Sequence, residues 1–237
     1  MEWFRHWFGP LYEEIYAHRD PAEARVQVDA LLARTGIPAL PVLDAGCGAG
    51  RHLVVLRERG CKAVGLDLSA HLLSQAIHSG PAIRADLRAP PFRPGSMGMV
   101  AAFFTVFGYL ETREDDLAMF STLAQLVAPG GHLYLDLPNP QQVRASLVPH
   151  DEKTCSGLHV VQKRWIEGGQ VFKSITVTRD GGEPEQYLER VRLWELEEIE
   201  VAAKDQGLGV VARFGHADGR EWTPGSPRMA CLWRKIG

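Results

Sequence analysis

Val42-Leu43-Asp44-Ala45-Gly46-Cys47-Gly48-Ala49-Gly50 is an apolar run entering a bend with three glycines, and residues 51–59 then have helix-forming composition until Gly60 stops them. Strand, glycine turn and helix make one unit, and the unit repeats downstream. AVGLDLS (63–69) reads as a second strand, with Ser69 capping a helix that runs through Ala76 and ends near Gly80. AIRADL (82–87) reads as a third strand and MGMVAAFF (97–104) as a fourth. A helix is predicted from Thr112 to Val127, ending in APGG, and HLYLDLP (132–138) is the fifth strand. Strands alternating with helices at this spacing predict a parallel sheet covered on both faces.

Upstream lies an aromatic lead segment, Trp3, Phe4, Trp7, Phe8, Tyr12 and Tyr16. A helix follows it, with Asp20 as N-cap, Pro21 in the first position, Glu23 completing a capping box and Gly36 as the stop. Ala24, Val28, Leu31 and Leu32 share one face of it. Downstream of Pro140 the rhythm changes. HVVQKRWI, QVFKSITVT and EQYLERVRL are separated by EGGQ and DGGE, which predicts three antiparallel strands joined by hairpins, with DEK (151–153) as a short polar loop. LWELEEIEVAAKDQGL returns to helix with a solvated outer face, and VVARFGHAD and RMACLWRK close the chain as strands.

At 237 residues the chain fits one globular unit, and 45% apolar with 23% charged residues gives no case for disorder or fibre. A net charge of -3 argues against nucleic acid as partner, since phosphate neutralisation needs a basic face. No apolar run reaches the ~18 residues of a membrane span, and MEWFRHWFG lacks the layout of a secretory signal, so the expected location is the cytoplasm. Cys47, Cys61, Cys155 and Cys231 are scattered singly, which suggests neither a disulfide framework nor a metal site.

The glycine bend permits close backbone approach to a ligand. A dinucleotide fingerprint would place its third glycine at position 51, where this chain has Arg51; Gly50 comes one residue early. Phosphate is therefore not the natural ligand, whereas a nucleoside joined to an amino acid has none to cradle, and Asp44 suits a cationic amino group. Asp67 ends the second strand 21 residues after Gly46, the separation at which a carboxylate accepts from ribose hydroxyls. Asp86 ends the third strand, where its side chain and the Leu87 amide can read an adenine edge. The alternative is that each aspartate simply caps a turn.

VLDAGCGAGRHL, GLDLS, ADLRAPPF and LAQLVAPGGHLYLD, in that order, resemble the motif set of class I S-adenosylmethionine (SAM)-dependent methyltransferases over about residues 40 to 137. FFTVFGYLE, FGHADG and SPRMACLWRK are similar to a small-molecule branch carrying an antiparallel insertion after strand five. The resemblance implies an α/β Rossmann-like fold: a seven-stranded, mostly parallel sheet with helices on both faces and a small antiparallel β insertion. It implies a helical cap at 1–36, a SAM-binding core at 40–137, an insertion at about 141–193, and a closing helix with two strands at 194–237. It further implies that Gly46, Cys47, Gly48 and Gly50 wrap the methionine part, that Asp67 with Leu68 holds the ribose, and that Asp86 and Leu87 meet adenine. Phe103 marks where backbone meets the amino acid end, and Tyr16 with Arg19 suits the carboxylate, unless Tyr16 is core and Arg19 is solvated. Gly98 stands where the family often has an acidic residue.

The implied reaction transfers methyl from SAM, leaving S-adenosyl-L-homocysteine, to an N or O atom of a small-molecule acceptor, in a monomer or homodimer. Tyr109 is a candidate wall of the acceptor pocket, and His52, His216 and Asp218 are candidate bases. Asn139 in LPNP follows the fifth strand rather than the fourth and lacks the aromatic residue of the amino-methylating motif. The competing readings are a non-catalytic SAM-binding regulator and a nicotinamide-dependent oxidoreductase, the latter opposed by the glycine spacing.

Overall fold

The computed structural model describes residues 2–16, 21–179 and 181–236. Two short helices, α1 (Phe4–Trp7) and α2 (Pro10–Ile15), precede α3 (Pro21–Thr35), whose inner face buries Ala24, Val28 and Leu31. The expected N-cap, Asp20, lies outside the described residues.

The alternating core follows as β1 (Val42–Ala45), α4 (Arg51–Glu58), β2 (Ala63–Asp67), α5 (Ala70–Ala76), β3 (Ala82–Arg84), β4 (Met97–Ala102), α6 (Arg113–Leu126) and β5 (Val127–Pro138). Ser69 accepts from the Leu72 amide and Thr112 from the Asp115 amide, so both helix starts are capped as their side chains dictate. The APGG turn is folded into β5. Met97 pairs with Val127, the backbone bulges through Gly130 at φ 77°, and regular pairing resumes at Met99 and His132.

Then come α7 (Pro140–Ser146), β6 (His150–Cys155), β7 (Leu158–Glu167), β8 (Gln170–Arg179), β9 (Glu185–Arg192), α8 (Leu196–Asp205), β10 (Leu208–Phe214) and β11 (Arg228–Lys235). The main sheet has seven strands in the order β10-β11-β5-β4-β1-β2-β3, parallel except where β11 meets its neighbours. One face packs α6 and α8 around Phe120, Leu123, Trp194 and Trp233; the other packs α3 and α4 around Val28, Leu31, Leu53 and Leu56. Among the described residues no helix is long and apolar enough to cross a membrane.

The insertion is a four-stranded antiparallel sheet, not the three strands expected. The extra strand, β6, contains the residues 151–153 assigned to a loop. It is an edge strand, with Asp151 and Glu152 exposed, so its charges blunt a free edge and leave no apolar alternation to read. The sheet's inner face, with Leu158, Val160, Ile175 and Val177, packs on Trp7 and Ile15 of the lead helices.

Candidate active site

The strand order reverses at β1, whose neighbours are β2 and β4, and open parallel sheets bind ligands outside the strand ends at such a point. There lies a crevice of about 750 Å³, closed on one side by the sheet core and on the other by the lead helices and the insertion. Tyr16, Gly46, Cys47, Gly48, Asp67, Leu68, Asp86, Leu87 and Phe103 all line it. Asp44 and Gly50 do not reach its wall, and Arg19 lies outside the described residues.

The three glycines differ in what they do. Gly46 has φ 75°, and a Cβ there would stand 2.4 Å from Val106 Cγ1, so the loop leaving β4 demands hydrogen at this position. Gly48, at φ 54°, has only Leu72 Cδ1 near, at 3.8 Å. A Cβ on Gly50 would press on Ala76 and Ser79, so Gly50 serves the packing of α4 on α5. The Gly46 and Cys47 amides donate to the Leu66 carbonyl at 2.8 and 3.0 Å, and the Gly48 amide donates to Asp67 Oδ2 at 2.8 Å. With those donors spent, the loop has none of the three to offer a phosphate, which is the electrostatic counterpart of the displaced third glycine.

Beneath the loop sits Asp44, 1% exposed, whose Oδ2 has no hydrogen-bond partner among the described residues. Burial, reinforced by the charge of Asp67, pushes its pKa up to about 7 against the opposing pull of Arg51 and the Leu53 amide. Burial also raises Asp67, despite amides from Ser69 and Gly48. Asp86 is lowered by the Arg88 guanidinium, with Arg5 of α1 adding a contact at 3.2 Å. A carboxyl buried behind a bend of positive-φ glycines, with one oxygen short of a partner, favours a ligand carrying an ammonium or sulfonium charge over an anionic one.

At the exit of β4, Phe104 (φ 56°) and Thr105 (φ 59°) are both left-handed, each at a cost of about 1–3 kcal/mol for a non-glycine residue. Asp136 holds them. Its Oδ2 accepts from the Phe104 amide and its carbonyl from the Thr105 amide, both at 3.0 Å. Arg228 donates to Asp136 Oδ1 at 2.8 Å and to Thr105 Oγ1 at 2.7 Å. Neither Asp136 nor Arg228 was singled out from the sequence; a charged residue inside an apolar strand run was the available signal.

His52 lines the crevice, its ring stacked on Phe103 at 4.1 Å and its Nε2 2.8 Å from Gln27 Oε1. Burial lowers its pKa well below the ordinary value, so it is the uncharged imidazole. His216 and Asp218 engage Arg220 and lie off the crevice. Tyr109 lines it, its hydroxyl donating to the Thr105 carbonyl and its ring 4.8 Å from Trp3. Asn139, fully buried, gives its amide to the carbonyls of Pro224 and Ser226, which fastens the last loop.

A methyltransferase-domain family profile matches residues 16–213. A Streptomyces venezuelae dTDP-3-amino-3,4,6-trideoxy-alpha-D-glucopyranose N,N-dimethyltransferase is 28% identical over 92% of this chain and 96% of its own. The chain spans about half the length of several other curated relatives. A Clostridium acetobutylicum SAM-dependent methyltransferase superposes with TM-score 0.77 at 17% identity, covering 96% of this chain and 97% of that one. SAM-bound CalS10, an amino pentose methyltransferase from Micromonospora echinaspora, superposes with TM-score 0.70 at 21% identity over 95% and 97% of the two chains. The profile covers most of the sequence, and the chain belongs to the class I SAM-dependent methyltransferases.

Proposed function

We propose that this protein transfers a methyl group from SAM to a nitrogen or oxygen atom of a small-molecule acceptor. The observation that carries the reading is the two-part wall of a single crevice. One part is the glycine bend with Asp67, Asp86 and Leu87; the other is an aromatic and polar box of Phe8, Tyr12, Tyr16, Tyr109, Lys173 and Glu189. A volume of about 750 Å³ is within the range of drug-sized ligand sites, about 300–1,000 Å³. The relative from Streptomyces venezuelae, named for N,N-dimethylation of an amino sugar, supports a small acceptor.

On this reading the bend from Gly46 to Gly48 holds the methionine part, with the Asp44 carboxylate beneath it opposite the ammonium group. Asp67 and Leu68 take the ribose, Asp86 and Leu87 the adenine, Phe103 lies along the amino acid end, and Tyr16 approaches its carboxylate. Gly50 contributes indirectly, by setting the start of α4. When bound, SAM supplies a methyl carbon made electrophilic by the sulfonium. The protein's work is to align the acceptor and keep water out, and no covalent enzyme nucleophile is needed. His52, held uncharged, adds no cation beside the sulfonium.

Incubating the purified protein with methyl-labelled SAM and a panel of amines, phenols and carboxylates should give labelled product. Calorimetry with SAM should register binding that Asp67→Ala weakens. Binding without any product would favour a SAM-binding regulator, and calorimetric silence would remove the cofactor assignment.

A further inference from the structure

Lys173 on β8 and Glu189 on β9 are directly opposite Cα partners, so both side chains project from the same face of the insertion. That face is apolar where Leu158, Val160, Ile175 and Val177 pack, and it carries Arg164 of β7 directly opposite Lys173 on its other side. The next opposed pairs on either side are Ile175 with Tyr187 and Val171 with Val191, and the face packs on the lead helices. Into this layer the chain places an ion pair at 2.5 Å, with side chains only 17% and 19% exposed, and both residues line the crevice. Replacing such a pair by apolar residues is often neutral or stabilising, so fold stability alone does not call for it.

The geometry also leaves the pair chemically open. Lys173 Nζ has three N–H donors, and its partners among the described residues are Glu189 and the Tyr16 hydroxyl, at 2.7 Å. Each carboxylate oxygen of Glu189 carries one donor, Trp7 Nε1 on Oε1 and Lys173 on Oε2, and each has a second lone-pair direction. The pair is neutral as a unit, and Arg164 opposite Lys173 is matched by Asp151, so the pair itself presents no net charge to a ligand. It can give one hydrogen bond and accept one, which is what a hydroxyl group requires.

We infer that Lys173 and Glu189 form the acceptor-recognition site of the crevice, gripping a hydroxyl of a small hydroxylated acceptor whose body lies against Phe8, Tyr12 and Tyr16. This rests on the reading of the crevice as the seat of SAM and an acceptor. The reactive atom of the acceptor then lies elsewhere on the molecule, toward the methyl group, while the hydroxyl fixes its orientation.

The test uses the full chain saturated with S-adenosyl-L-homocysteine and two six-membered-ring amines as calorimetric probes: D-glucosamine, which carries hydroxyls, and cyclohexylamine, which carries none. The wild type should bind glucosamine about tenfold more tightly, the scale of a hydrogen bond to a charged group. Lys173→Met and Glu189→Gln should each erase that preference, read as the ratio of the two affinities so that the change in site charge common to both ammonium probes cancels, with S-adenosyl-L-homocysteine still bound. A preference that survives in both variants, or is absent from a wild type that binds the homocysteine product, overturns the inference alone. Loss of S-adenosyl-L-homocysteine binding in both variants would give the pair to the cofactor and overturn it equally. Should either variant fail to fold, the wild-type preference decides. A wild type that does not bind S-adenosyl-L-homocysteine defeats the underlying reading as well.

Discussion

Asp44→Asn separates the use of a buried charge from its cost. The carboxyl has an ordinary pKa of about 3.9 in an unfolded chain and about 7 in the fold. A group whose pKa rises on folding contributes stability that is fully present below the unfolded value and is lost as pH climbs to the folded one. Between about pH 5 and about pH 8 one such group loses about 2.5 kcal/mol of stability. Asparagine does not titrate, so it lacks this slope. Its amide nitrogen beside the position of the partnerless Oδ2 carries its own desolvation cost, but that cost is the same at both pH values and cancels in the difference. For a chain of this length the stability advantage of Asp44→Asn should therefore grow by about 5–10 °C of melting temperature from the lower pH to the higher, in protein free of cofactor. SAM affinity should move the other way, with the variant binding more weakly at about pH 8, because the negative charge behind the glycine bend is gone. Thermal unfolding of both proteins at the two pH values, followed by calorimetry, makes the comparison. If the difference in melting temperature is the same at both, Asp44 is not a strained buried acid and its role at the site loses its physical basis.

Gly46→Ala sets a methyl group 2.4 Å from Val106 Cγ1 at a positive φ that costs a side chain about 1–2 kcal/mol, so SAM affinity should fall more than about tenfold. Adding Val106→Ala should recover part of the loss, and no recovery would mean that crowding is not the cause. Arg228→Met leaves Asp136, 1% exposed, without its guanidinium partner; the expected cost is about 3–5 kcal/mol, or about 6–20 °C in melting temperature. Asp136→Asn added to that variant should restore part of it by removing the unpaired charge. A single variant melting within about 2 °C of wild type would show that the pair does not hold the left-handed Phe104–Thr105 turn.

What the sequence made legible follows from how locally each feature is specified. The elements from β1 through β5 could be read because apolar runs and glycine stops are contiguous, and Ser69 and Thr112 cap their helices by contacts within three residues. The wrong phase of the third glycine for a dinucleotide was equally local. β6 was missed because its charges suit an edge strand, whose pairing with β7 is decided by a neighbour and not by its own alternation. The direction of the loop amides was invisible too: their commitment to Leu66 and Asp67 depends on where β2 ends in space.

The residues that matter most to the site depend on register between distant segments. Asp136 lies in an apolar strand run and Arg228 follows 92 residues later, and only the antiparallel pairing of β5 with β11 brings them together at 2.8 Å beneath the Phe104–Thr105 turn. Lys173 and Glu189 face each other through the β8–β9 hairpin, and the crevice they line requires the lead helices to cover that sheet. His52 shows the converse error, since a histidine just past the glycine loop invites a catalytic role. The fold stacks it on Phe103, ties it to Gln27 and keeps it neutral, which makes it a poor proton acceptor. Local pattern thus fixes the glycine-bend half of the crevice, while the half built by the insertion and the lead helices is written in pairings between elements far apart in the chain.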